Sequence, residues 1–397
     1  MSAPFVYIVT MKKLTSFFIL ITTAVNLFWA QQALPAITIA QNSINSFDTK
    51  LYEALSSQEG NVNFSAISIY SLLYALQKGA KGQTQEQINR VIDLEPSQEA
   101  DIQLQNIITN TQNMTNSLWY KKTLTIQNDY NNFIKDYDFI LKPSDFYNGP
   151  KTRKDINSFI SEKTDKLIEN FLQEDLPSST QLVLLNTLYF NQKWETEFDE
   201  ENTRDQTFYK TKDNQIKVPM MHKTTSMPYY EDDNFQIIEL YYQDKRYSML
   251  VALPKNYEYD FSLTNPNNLI EKYNAYKSRQ RVQLSFPKFD LTSKYDLIPL
   301  LQNLGMIDAF NPFTADFTDI FIDSQNIYVD AAIHQVRIQV NEKETKAAAV
   351  TMFSMKATSA MPQHPPIVFT ADHPFIYVIR DNETGINLFT GIVRQPK

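Results

Sequence analysis

The chain has 397 residues, 43% of them hydrophobic and 21% charged, with a formal net charge of -8. That length and balance suit a large α+β unit with a substantial core, and they exclude a disordered chain and a basic nucleic-acid binder. There is no cysteine and there are only 7 glycines, which excludes disulfides, thiolate nucleophiles, cysteine-held metals and glycine-rich phosphate loops.

The basic run Met11-Lys12-Lys13 precedes an apolar stretch from Leu14 to Ala30, so residues 1–30 read as a signal peptide. Met11 is an alternative start, because Met1 to Thr10 add nothing to that pattern. Ala30 suits signal peptidase while Phe28 is bulky for it, and an uncleaved anchor is the alternative. The span is short for a bilayer crossing, and the chain turns polar at Gln31-Gln32, so secretion is expected, to the periplasm if the source is bacterial. From 31 to 397 no fixed-period repeat or low-complexity linker divides the chain, which predicts a single domain. Ile156, Phe159, Ile160, Leu167, Ile168 and Phe171 recur at spacings of three and four and predict an amphipathic helix from Ile156 to Leu172. Strands are predicted over Leu182–Phe190, Met249–Leu253, Val282–Phe289, Ile327–Val340, Phe375–Ile379 and Ile386–Val393. The expected architecture is a helical first third followed by a large mixed sheet system.

Catalytic machinery is hard to find. His222, His334, His364 and His373 form no pair at metal-ligand spacing, and no GxSxG elbow occurs. Asp232-Asp233 and Glu200-Glu201 read as solvated turn residues. His334, inside the run Val329 to Val336, reads as a hydrogen-bonded core residue rather than a general base. No enzyme, metal or cofactor is expected.

The stretch from Glu342 to Ala360 carries a different pattern. Thr345, Ala347, Ala349, Thr351, Phe353, Met355 and Ala357 are uncharged, while Lys346 and Lys356 both fall in the alternate set. Side chains of a strand alternate faces, so this segment could enter a sheet without burying a charge. Two charges share a parity half the time by chance, and the pattern needs company.

Company comes from eleven short pieces in order: Asn63-Phe64-Ser65-Ala66-Ile67-Ser68-Ile69, Gly79-Ala80-Lys81-Gly82-Gln83-Thr84, Asn186-Thr187-Leu188-Tyr189-Phe190, Trp194-Glu195, Phe198 with Glu201-Asn202-Thr203, Val218-Pro219-Met220-Met221, Leu253-Pro254, Phe286-Pro287-Lys288-Phe289, Leu304-Gly305-Met306, Glu342 to Thr351, and Ala371-Asp372-His373-Pro374-Phe375 with Arg380-Asp381. With these, essentially the whole mature chain resembles the serpins. The resemblance implies an α+β fold of about three β-sheets and eight or nine helices, with an exposed reactive loop at about 342–362. It also implies suicide inhibition of a serine protease: the loop is cleaved, the protease stays acylated, and the loop inserts into the central sheet of a metastable fold.

By the same resemblance the loop's hinge is Glu342, Lys343, Glu344, Thr345, Lys346, Ala347, Ala348, Ala349, Val350 and Thr351. Ser65, Ser68, Asn186 and His334 are expected to form a shutter under the sheet, and Trp194 to mark the breach where insertion starts. The family spacing puts the reactive bond at Thr358-Ser359, between Ala357 and Ala360, which suits an elastase-like protease. Lys356 and Met355 are the alternatives, since the stretch after Ser359 is longer than in many relatives. Glu344 stands where inhibitory members carry glycine, and this keeps a non-inhibitory carrier, chaperone or storage role open beside inhibition of papain-like cysteine proteases. Ala66 for proline and Phe159 for tryptophan are packing changes. The stretch Glu99 to Asn116 holds no lysine or arginine, so no heparin-type polyanion and no nucleic acid is expected as a partner. The protein is expected to be a monomer. Sequons stand at Asn63, Asn113 and Asn382, with Asn63 inside a core motif.

Overall fold

A computed structural model describes residues 38–322, 326–343 and 365–396. In chain order the elements are α1 (Ile39–Leu55), β1 (Val62–Phe64), α2 (Ala66–Lys78), α3 (Gly82–Ile92), α4 (Gln98–Asn110), β2 (Met114–Lys121), β3 (Thr125–Ile126), α5 (Asn128–Asp136), β4 (Ile140–Ser144), α6 (Gly149–Lys163), β5 (Leu182–Phe190), β6 (Arg204–Thr211), β7 (Asn214–Glu231), β8 (Phe235–Tyr241), β9 (Tyr247–Pro254), α7 (Pro266–Tyr276), β10 (Ser278–Pro287), β11 (Phe289–Asp296), α8 (Leu297–Asn303), β12 (Phe321–Ile322), β13 (Val329–Val340), β14 (Ile367–Thr370), β15 (Phe375–Asp381) and β16 (Ile386–Val393). Among the described residues these make eight α-helices and three sheets.

The five-stranded sheet has the order β11-β13-β5-β2-β4, and the nine-stranded sheet runs β1-β16-β15-β9-β8-β7-β10-β14 with β6 beside β7. β3 and β12 form the third. All nine residues of β5 are buried, because at this central strand both faces of the sheet are covered. Leu182, Leu184 and Leu188 join the main core, whereas Val183 and Leu185 pack with Ile156 and Ile160 of α6 in a separate cluster. That division follows from the two-residue period of a strand.

α2 fills the space on the main-core side. Every residue from Ala66 to Gln77 is buried, the mark of a helix packed on all sides, and Ser65 caps it by accepting from Ser68 N. Its C-terminal Gly79 is required by proximity: a Cβ there would lie 2.0 Å from Ile320 Cγ1.

Two predicted elements are corrected. The helix predicted from Ile156 to Leu172 is α6, which begins at Gly149 and stops at Lys163. Thr164 Oγ1 donates to Ile160 O at 2.8 Å and accepts from Ile168 N at 3.1 Å, and Asp165, Lys166 and Asn170 adopt positive φ. Ile168 and Phe171 are thus buried from turns, mimicking a helical period. The run Val282–Phe289 is two strands in two sheets, since β10 ends at Pro287 and β11 begins at Phe289. Lys288 between them turns its backbone N–H to Pro219 O at 2.9 Å.

Candidate functional site

β5 and β13 lie side by side and parallel, from Leu182 opposite Val329 to Phe190 opposite Ile338. Their register sets Asn186 opposite His334, and the β2–β5 register sets Asn116 opposite Asn186. Three buried polar side chains therefore line up across three adjacent strands, beneath the N-terminus of α2. Asn186 Oδ1 receives Ser68 Oγ at 2.8 Å and His334 Nδ1 at 2.5 Å. Asn186 Nδ2 donates to Asn116 Oδ1 at 2.5 Å and to Ser68 O at 3.0 Å. Asn116 Nδ2 in turn donates to Ser71 Oγ at 2.8 Å.

This pattern assigns the tautomer of His334. Its Nδ1 faces a carbonyl acceptor and its Nε2 receives the Ser65 N–H at 3.3 Å, so the imidazole is neutral with its proton on Nδ1. Burial agrees, pushing His334 from 6.5 down to about 3. The predicted shutter residues Ser65, Ser68, Asn186 and His334 are thus brought together, all fully buried. Asn116 and Ser71 belong to the same network and were not foreseen. Ser71 has one signal, a polar residue inside the apolar run of α2, whereas Asn116 stands between Thr115 and Ser117 in β2 and has none.

A second set of contacts holds the chain where it leaves β13. Trp194 Nε1 donates to Asn341 O at 2.9 Å, Phe198 N to Glu342 O at 2.8 Å and Trp194 N to Lys343 O at 3.4 Å. The Trp194 ring stacks on Tyr242 with centroids 4.5 Å apart. Glu342 is buried, with Lys288 Nζ at 2.8 Å from Oε2 and Thr203 Oγ1 donating to Oε1 at 2.7 Å. Burial pushes its carboxyl up, but the hydrogen bonds from Lys288 and Thr203 outweigh it and leave the group below its ordinary value. Lys343 pairs with Glu200 at 3.0 Å on the surface. Lys288, Thr203 and Phe198 were visible only as motif letters, with no role attached.

The expected hinge residues Glu344, Thr345, Lys346, Ala347, Ala348, Ala349, Val350 and Thr351 lie outside the described residues, as do Met355, Lys356, Thr358, Ser359 and the stretch 1–30. The chain is described again from 365, and β14 then pairs parallel with β10, Val282 opposite Ile367. The loop therefore leaves one sheet and returns to another. Asn63 is buried and accepts from Tyr377 OH at 2.7 Å, so its sequon is closed in the folded chain. Among the described residues no metal-ligand cluster occurs and no helix is long and apolar enough to cross a membrane.

The family model described as Serpin (serine protease inhibitor) matches residues 42–396. An uncharacterized serpin-like protein of Thermococcus kodakarensis is 32% identical, covering 90% of this chain and 85% of that protein. The leukocyte elastase inhibitor of Xenopus laevis is also 32% identical, covering 85% of this chain and 93% of its own length. Human thyroxine-binding globulin, solved in complex with thyroxine, superposes with a TM-score of 0.80 at 25% identity over 91% of this chain and 99% of that one. The fold, the ordered motifs and these likenesses agree, and the chain belongs to the serpin family.

Proposed function

We propose that this serpin is a secreted suicide inhibitor of serine proteases, with an elastase-like target cutting at Thr358-Ser359. The observation that carries the reading is the direct parallel pairing of β5 with β13, the strand that feeds the loop. A strand returning from residue 344 into that gap would run antiparallel to both neighbours, replacing one parallel ladder by two antiparallel ones, which are slightly more stable per residue. The protease serine attacks the carbonyl of Thr358, the amine of Ser359 leaves, and the ester still holds the enzyme as residues 344–358 move into the sheet. Opening the gap requires parting Asn186 from His334 and releasing Glu342, so these two contacts gate the movement. Secretion rests on the basic and apolar pattern of residues 11–30.

The test is to incubate the purified chain with elastase, chymotrypsin, trypsin and papain separately and run denaturing gels. A boiling-stable band near the summed mass in the elastase tube is expected. Trapping by trypsin alone would move the reactive bond to Lys356, and trapping by papain would change the target class. Cleavage everywhere with full residual protease activity would favour the second reading, a non-inhibitory carrier or storage serpin, which Glu344 in place of a hinge glycine supports. Thr345→Arg would put a charge on the inserting face and is expected to abolish complex formation while leaving cleavage intact.

A further inference from the structure

Beneath the segment that clasps Glu342 lies a polar cavity of about 140 Å³, between β7, β8 and the start of β10. Its walls carry four charged side chains, and their partners are unequal. Both acids are already answered. Glu195 pairs with Lys245 at 2.8 Å. Glu239 accepts from Tyr241, Ser248 and Tyr273 hydroxyls at 2.9, 2.8 and 2.8 Å, with Lys277 Nζ at 3.4 Å. The two cations donate hydrogen bonds to backbone carbonyls. Lys223 Nζ donates to Thr196 O at 3.0 Å and sits 3.9 Å over the Phe198 ring, and Arg279 Nη2 donates to Ser226 O at 2.8 Å. Neither forms an ion pair among the described residues, and the hydroxyl-bearing Thr225 and Ser226 share the wall.

We propose that this cavity binds a small oxyanion, such as inorganic phosphate, between Lys223 and Arg279. Two cations without carboxylate partners and neighbouring hydroxyl donors match an acceptor-only, multiply charged ligand. Burial holds the Lys223 ammonium down to about 8, and an anion at 3 Å would reverse part of that shift, so binding tightens with the proton it retains. Thr196 and Phe198 belong to the same short segment whose backbone holds Glu342 O, so the ion would brace the clasp. That bracing rests on the proposed function, whereas binding as such does not.

The test titrates the full mature chain with inorganic phosphate at near-neutral pH and constant ionic strength, chloride replacing phosphate in the control, followed by calorimetry and thermal unfolding. A saturating isotherm with a rise in unfolding midpoint that chloride does not give is expected. Lys223→Met should weaken binding about tenfold or more, and Arg279→Gln, at an exposed position, by several-fold. Equal response to chloride, or unchanged affinity in Arg279→Gln, would overturn the site, and the second result decides even if Lys223→Met fails to fold.

Discussion

Two sets of contacts fasten β13, one at mid-strand and one at its end, and they are built from different materials. The mid-strand row of Asn116, Asn186 and His334 is neutral and buried, and each side chain's hydrogen bonds depend on the next. The clasp at the end of β13 joins buried Glu342 to Lys288, which is 36% exposed, beside the buried stack of Trp194 on Tyr242. A dry network is expensive to leave half-made, since each orphaned group forfeits its hydration as well as its bond. In the clasp's ion pair only Lys288 reaches solvent, and that one member can trade its partner for water at small cost. If the proposed insertion occurs, this contrast predicts that the clasp, open to water at Lys288, releases first and the buried row sets the barrier.

Breaking the buried row should give the largest effect. Asn186→Ala strands the Ser68 hydroxyl, the His334 N–H and the Asn116 carbonyl together, at a cost on the order of 4 kcal/mol in urea unfolding. Acid offers a reversible version. The folded chain refuses the proton that His334 takes up once unfolded, so its contribution to stability is present above 6.5 and is lost as pH falls toward 3. Asp48 has the opposite sign. Burial, only partly offset by hydrogen bonds from Asn387, Thr390 and Asn267, raises its carboxyl from 3.8 to about 6, so its contribution is complete below 3.8 and is lost as pH rises through 6. The two slopes oppose each other between 6 and 3.8, and below 3.8 nothing offsets His334. Urea midpoints should therefore be nearly flat over that window and then drop, and Asp48→Asn should uncover a decline that starts near 6.5.

The clasp sharpens the contrast from the other side. Lys288→Met leaves buried Glu342 with Thr203 as its remaining side-chain donor, and after discounting for solvent it should cost about 1 kcal/mol, less in molar salt. Lys343→Ala removes an exposed pair with Glu200 and should leave the unfolding midpoint unchanged. A Lys288 loss as large as that of Asn186→Ala would erase the distinction between the two fastenings.

The same contrast explains what could be read without a structure. β5 and β16 match their predicted bounds, because Leu182–Phe190 and Ile386–Val393 are continuous β-rich runs with nothing else to be. That Ser65, Ser68, Asn186 and His334 lie together was legible through resemblance, their motif pieces being short and ordered. Asn116 was not, because its meaning lies in register: only when β2 pairs with β5 does it face Asn186. Lys288 was hidden by the apolar run around it, which conceals a change of sheet at a single residue. Ile168 and Phe171 misled for a related reason, since burial at helical spacing does not require a helix when positive-φ residues turn the chain between them.

The order of the nine-stranded sheet reaches beyond function into biosynthesis. β15 and β16, the latest-made strands of that sheet, lie between β1 and β9 and not at an edge, with Val62 opposite Ile392 and Ala252 opposite Ile376. Gly391 marks how tightly they are set, since a Cβ there would meet the Tyr377 ring at 2.4 Å and Val62 O at 2.7 Å. While these residues are still inside the ribosome, β1 and β9 have no partner on their inner sides, and the core around them cannot close. The nascent chain must wait open-edged until its last strands emerge, which makes holding off premature pairing a condition for reaching the fold at all.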